Sequence, residues 1–368
     1  MKFTKFNAII KKLDWLLLIN VCLLIILGII LIYSVALGSQ SEQNYLNFKK
    51  QIVFFIFGLI GILIISLFID YRILIKANAF FYILGVILLL SVLFFGKTIR
   101  GTTGWFNLGI FSFQPVEFVK IFLIIFLSKF FSDKARYIGQ LKYLIASSLG
   151  VIVLMILVVL QPDFGSALIL FGLWAILILL TGIKKSHLLL ISSIILISSL
   201  ILWFFVFQPY QKQRIMVFVN PALDPLGSGY NITQAIIAIG SGNLWGKGLT
   251  LGSQSQLKFL PESQTDFIFA VLSEELGLLG IILLLALFGF LFWRLLYYAR
   301  KINDNFAIYL IISTCVLFFV ELIVNIGGNL GLLPITGITL PFVSYGGSSL
   351  LANMILIGLI ESVIARSQ

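Results

Sequence analysis

Apolar stretches close to the roughly 20 residues that a helix needs to cross a hydrocarbon core recur along this whole chain. They fall at 15–37, 51–69, 73–95, 115–132, 143–160, 165–182, 187–207, 266–293, 306–325 and 347–364. Ten such spans predict an all-α polytopic membrane protein, with residues 1–368 forming a single integral membrane domain. The basic start, with Lys2, Lys5, Lys11 and Lys12 ahead of the first span, superficially resembles a secretory signal, but its apolar part is too long and further spans follow.

With the start inside, the cytoplasmic loops carry Arg72, Lys76, Lys129, Lys134, Arg136, Lys142, Lys184, Lys185, Arg294, Arg300, Lys301 and Arg366. The short external loops hold only Lys49, Lys50, Lys97 and Arg100. That asymmetry predicts cytoplasmic termini and a multi-pass protein of the cytoplasmic membrane. The net charge of +11 therefore records topology and attraction to anionic membrane lipids, and it does not indicate nucleic-acid binding. Cys22 and Cys315 fall inside spans without metal-site or disulfide spacing, and His187 is the single histidine, so His-based triads and multi-His metal sites are excluded.

Three segments break the pattern of short connections. Residues 208–265 form a large external loop between the seventh and eighth spans, and Tyr230 to Ile239 (YNITQAIIAI) within it reads as an amphipathic or re-entrant helix. Gly96 to Gln114 is rich in turn formers, and Asn325 to Asn353 interrupts apolar sequence with Pro334, Pro341 and paired glycines. Irregular backbone at membrane depth is tolerated only inside protein or beside a wet cavity. These segments predict a polar cavity open to the outside, with Ser344 a candidate for substrate contact.

Carboxylates are scarce, 14 in 368 residues, so acids at the mouth of a span need a reason. Glu262 and Asp266 stand at such a mouth in FLPESQTDFIFAVLSEELG. Asp266 has two readings: a first-turn acid beside the capping residues Ser263 and Thr265, or a general base whose pKa is raised by partial burial and by Glu262 four residues earlier. Gln114, Pro115, Glu117 and Lys120 open the fourth span, with Glu117 and Lys120 on one face at i, i+3; they either neutralise each other or face substrate. Asp163, after Gln161 and Pro162, reads as a cap more than as a site residue. GSGNLWGKG at 240–248 lacks the spacing of a phosphate loop, although its backbone N–H groups beside Lys247 would suit an anion. Asn231-Ile232-Thr233 matches a glycosylation sequon, but its helical context and so short a pattern mark it as a chance match.

Taken together, FQPVEFVK, QPDFGSAL, GSGYNITQAIIAIGSG, GKG, FLPESQTDFIFAVLSEELG and NIGG through LPFVSYGGSS resemble the SEDS family of cell-wall glycan polymerases, in the expected order over most of the chain. QSQLKFLPE leans toward the RodA elongation branch rather than the FtsW division branch. The resemblance implies a membrane glycosyltransferase that polymerises lipid II into nascent glycan strands on the outer face of the membrane, beside a class B penicillin-binding protein. It implies Asp266 as the essential acid, Glu117, Lys120 and Asp163 as polar cavity positions, and Trp105 as an aromatic of the first large external loop. Gly104 stands where many members have Arg, for which Arg100 is the substitute, and Val116 and Gly328 are smaller departures. A single inverting displacement would need Lys120, Arg214, Lys247, Arg100 or a divalent metal, Mg²⁺ or Mn²⁺, to neutralise the departing pyrophosphate. A flippase for lipid-linked precursor would use the same cavity without a general base, and a scaffold would not need the Pro261 to Phe269 motif.

Overall fold

The computed structural model describes residues 10–39, 42–99, 101–107, 109, 112–137, 140–187, 189, 192–193, 204–205, 212, 216–224 and 227–367. Long apolar helices dominate: α1 Trp15–Ser39, α2 Glu42–Phe68, the short α3 Arg72–Lys76, α4 Asn78–Phe95, α5 Pro115–Lys134, α6 Leu141–Val159 and α7 Phe164–Leu180. They are followed by α8 Ser228–Ser241, the single turn α9 Ser253–Gln256, α10 Ile268–Lys301, α11 Asn305–Asn329 and α12 Gly347–Ser367.

Seven of these, α1, α2, α4, α6, α10, α11 and α12, are long and apolar enough to cross a membrane. The spans predicted at 115–132 and 165–182 are also helices. However, α5 carries Glu117, Lys120, Lys129, Asp133 and Lys134, and α7 has only 17 residues. The predicted span 187–207 lies for the most part outside the described residues.

Packing sorts the helices into layers. In α11 and α12 the most apolar stretches are 72% and 89% buried, against 22% in α2 and 17% in α4, so α11 and α12 form the centre and α2 and α4 face lipid. The central helices are held by α5, which packs on α11, and by α2, which packs along α12. Gly28 lets α1 lie directly on the chain at Val343, since a Cβ there would sit 2.2 Å from the Val343 carbonyl oxygen.

Gly96 to Gln114 is more ordered than its turn-rich composition suggests. It forms a three-stranded antiparallel meander of β1 Lys97–Ile99, β2 Thr102–Asn107 and β3 Ser112–Phe113, with Trp105 opposite Lys97 and Phe106 opposite Phe113. The meander is pinned to the bundle where Thr103 N–H donates to the Gln161 carbonyl. At 330–346 the backbone is irregular: Leu330 and Leu332 are exposed, whereas Leu340, Phe342, Val343 and Ser344 are inside the protein, the condition under which such backbone is stable at membrane depth.

The predicted continuous span 266–293 is instead interrupted. Gly277, at φ 62° and ψ −156°, breaks α10, and residues 242–248 are spliced into the gap. Lys247 and Gly248 N–H donate to the carbonyls of Glu274 and Glu275 at 2.9 and 3.0 Å, while Leu278 and Leu279 N–H donate to Asn243 and Leu244 carbonyls at 2.9 and 3.3 Å. The groups of two lost helical bonds thus make four bonds to the loop, which satisfies the Glu274 and Glu275 carbonyls and the Leu278 and Leu279 N–H groups.

At the opposite end of the bundle, Asp14 pairs with Arg294 at 2.7 Å and its N–H donates to Glu361. Tyr71 donates to Asp304, and Arg366 closes the end of α2 by donating to the Ser66 and Leu67 carbonyls.

Candidate active site

Asp266 sits in the turn that precedes α10. The helix begins at Ile268 with Phe267 as its N-cap residue, no side-chain cap and no acid in its first turn, so Asp266 stands one residue before the N-cap. Its backbone is fixed by two side-chain amides from α11: Asn325 and Asn329 donate to the Asp266 carbonyl at 3.1 and 2.9 Å. Asn325 also donates to the Ile338 carbonyl at 2.8 Å, which ties the turn to the irregular segment across a small cleft. The half-buried Asp266 carboxylate is turned toward that segment. A Cβ built on Gly337 (φ 75°) would lie 3.8 Å from its Oδ2, so a larger residue would narrow the space in front of the acid.

The turn itself is stapled on its other side. Ser344 Oγ donates to the Thr265 carbonyl at 2.6 Å and accepts from Leu340 N–H, and Tyr345 N–H donates to the Gln264 carbonyl. Gln264 reaches the carbonyls of Ile32 and Asn44 and accepts from Asn47, so the ends of α1 and α2 also hold it. Ser344 is buried, donating to one carbonyl and accepting from one N–H, so it bonds the backbone behind the acid. Glu262 is exposed and bonds within the same turn, its carboxylate accepting from Thr265 Oγ1 at 3.3 Å.

Glu117 and Lys120 meet at 2.8 Å, as their spacing requires, but a third group completes the cluster: Lys120 Nζ also lies 2.5 Å from Glu321 of α11. All three are buried, so the lysine charge is taken by two carboxylates and the polar pair is a bridge between α5 and α11. Glu321, Asn325 and Asn329 follow one another at i, i+4 and i+8 on one face of α11. That polar stripe in an apolar helix was the readable signal for Glu321, an intramembrane acid that demands a partner. It runs from the buried ion cluster to the backbone of Asp266.

Asp163 caps α7, accepting from Ser166 N–H and Oγ at 2.9 and 2.8 Å, and burial raises its pKa. Gly165 brings the start of α7 against the Thr336 carbonyl beside the cleft. Gln114 N–H donates to Ser348 Oγ, and half-buried Trp105 lies on the meander above. Lys247 pairs with Glu274 at 2.8 Å, and its backbone N–H donates to the Glu274 carbonyl in the splice. Arg100 and Arg214 lie outside the described residues. Among the described residues, no three His, Cys, Asp or Glu side chains gather as a metal site.

Residues 14–368 match the family model FTSW_RODA_SPOVE, described as cell cycle protein. The chain belongs to this family. It is 38% identical to peptidoglycan glycosyltransferase MrdB of Escherichia coli over 343 residues, covering 93% of this chain and 92% of that one. Among solved structures it matches a chain of a peptidoglycan synthase complex that coordinates polymerization and crosslinking, with TM-score 0.81, 29% identity and 96% and 97% of the two chains covered. It also matches the rod shape determining protein RodA of Thermus thermophilus, with TM-score 0.69, 27% identity and 96% and 97% coverage. With these solved relatives sharing its fold and seven helices long and apolar enough to cross a membrane among the described residues, the chain is a multi-pass protein of the inner membrane.

Proposed function

We infer that the chain is a peptidoglycan glycosyltransferase that polymerises lipid II, with Asp266 as its general base. The observation that carries this reading is the placement of Asp266: a carboxylate on non-helical backbone, held by Asn325 and Asn329 and aimed across a cleft at Gly337. The carboxylate accepts the proton of the 4-hydroxyl on the acceptor's terminal sugar as that oxygen attacks the donor's anomeric carbon. The lipid pyrophosphate then leaves with inversion. A fixed base serves such a step because little must reorganise when the proton moves.

Lys120 and Lys247 are each committed to carboxylates, so of the cations named from sequence we assign Arg100 and Arg214 to the departing pyrophosphate. A divalent ion belongs to the proposal only as one shared with substrate phosphate, which Mg²⁺ accepts with one or two carboxylates. Asp266 and Glu262 supply carboxylates of that kind at this end of the bundle. The QSQLKFLPE stretch and the likeness to RodA support a role in elongation and cell shape rather than division. The likeness to a synthase complex supports a class B penicillin-binding protein as partner.

The test is polymer formation from purified lipid II by the detergent-solubilised chain, wild type beside Asp266→Asn, with and without Mg²⁺, chelator and a cognate penicillin-binding protein. Polymer from wild type and none from a folded Asp266→Asn supports the assignment. Full activity of Asp266→Asn overturns the base, and lipid flipping in vesicles without polymer under any condition overturns the enzyme.

A further inference from the structure

The end of α10 far from Asp266 presents a surface that the polymerase reading does not use. Trp293, Leu296, Tyr297, Arg300 and Lys301 follow at i, i+3, i+4, i+7 and i+8, so they share one face, and every one of them is exposed. They line a shallow groove of about 350 Å³. One turn above Trp293, on the same side, Gly289 has no atom within 4 Å of where a Cβ would stand, so the helix surface there drops to bare backbone.

Depth places this groove at the edge of the bilayer. The helix restarts at Leu278 after the break, and at 1.5 Å per residue the stretch from there to Tyr297 is roughly 30 Å long, the thickness of a hydrocarbon core. Trp293 and Tyr297 therefore sit where aromatic belts form, and Arg300 and Lys301 sit one turn further out, at phosphate level. The bundle's orientation makes this the cytoplasmic leaflet.

The charge of the groove is unbalanced. The carboxylates of the neighbouring elements are occupied: Asp304 by Tyr71 and by Phe306 N–H, Asp14 by Arg294, and Glu361 by the Asp14 N–H. Lys301 lies over the Tyr297 ring at 6.0 Å, and no ion pair among the described residues engages Arg300 or Lys301.

We propose that this groove binds an anionic phospholipid of the cytoplasmic leaflet. Arg300 and Lys301 hold the phosphate diester, Trp293 and Tyr297 flank the glycerol region, and one acyl chain lies over Gly289. Basic grooves beside transmembrane helices on the cytoplasmic side bind such headgroups, each cation contributing about 1 kcal/mol, or about five-fold in affinity. The site is at the opposite end of the bundle from the candidate active site and does not depend on that assignment.

Native mass spectrometry of the full chain in detergent tests this, titrating dioleoyl phosphatidylglycerol against dioleoyl phosphatidylcholine. The anionic lipid is expected to be retained selectively. Arg300→Gln/Lys301→Gln should weaken it on the order of 30-fold, with Lys184→Gln/Lys185→Gln, another exposed basic pair, as the control left near wild type. Gly289→Leu should weaken it several-fold without changing any charge, and it decides the matter if the double variant does not fold. Equal retention of both lipids, unchanged binding in the double variant and in Gly289→Leu, an equal loss in the control pair, or displacement by millimolar inorganic phosphate would each overturn the proposal.

Discussion

Replacing Gly277 by alanine tests the splice that interrupts α10. An L-residue at φ 62° and ψ −156° sits in a region that is essentially reserved for glycine, at a cost of about 1–3 kcal/mol. The new Cβ would also stand 2.3 Å from the Gly246 nitrogen and 2.8 Å from the Gly242 carbonyl oxygen, both backbone atoms with no flexible end to yield. Residues 242–248 must then withdraw, and the four backbone bonds they make with Glu274, Glu275, Leu278 and Leu279 are strained or lost at about 1 kcal/mol each. The total is about 2–7 kcal/mol, set by how far the loop retreats. Thermal unfolding in detergent measures the loss, and hydrogen exchange at 243–248 and 278–279 locates it. Gly61→Ala, in α2 with open space around it, is the control and should be neutral or stabilising by up to about 1 kcal/mol. A Gly277→Ala protein that unfolds like wild type and exchanges no faster in the loop would refute the account.

The buried ion cluster predicts an asymmetry. Lys120→Met leaves Glu117 and Glu321 buried without their cation and should cost about 3–5 kcal/mol in the same unfolding assay, whereas Glu321→Gln keeps an acceptor and should cost far less. Asn329→Ala removes one of the two amides on the Asp266 carbonyl. Polymerisation should fall at least ten-fold with KM changed less than kcat, since the acid is displaced but not removed. Asp163 makes a pH prediction. Burial raises its folded pKa above the unfolded value of about 3.9, so its contribution to stability is fully present below that value and is lost as pH rises through the folded pKa. Asp163→Asn keeps an acceptor for Ser166 N–H and should flatten that part of the stability profile, as followed by unfolding temperature against pH.

The helices were legible because a bilayer leaves the backbone few options, and hydropathy reports the choice directly. The helix over Tyr230 to Ile239 was legible for the related reason that its apolar residues recur at helical spacing, and Ile232, Ala235 and Ala238 are indeed its buried face. The break at Gly277 was not legible, because a glycine in an apolar run looks like any helical glycine until its partner, about thirty residues earlier, is in place. The meander at 97–113 was hidden by short strands with no clear alternation. At the site, Asp266 and the Glu117–Lys120 pair could be read locally, as an acid at a span mouth and an i, i+3 spacing. Glu321 needed the third dimension: only packing of α5 on α11 brings it to Lys120, two hundred residues away in sequence. Ser344 and Lys247, both named from sequence as substrate contacts, bond the Thr265 carbonyl and the Glu274 carboxylate, because a polar side chain in a cavity segment can serve the protein behind it as well as a ligand in front.

The splice also gives the backbone of α10 two pairings to choose between. The Glu274 and Glu275 carbonyls and the Leu278 and Leu279 N–H groups, which bond residues 242–248 here, are i, i+4 partners of each other. With the loop undocked, a helix running straight through Gly277 would satisfy them even in lipid. The break in α10 therefore exists only where the loop is docked, and the direction of the helix beyond it reports whether the loop is in place.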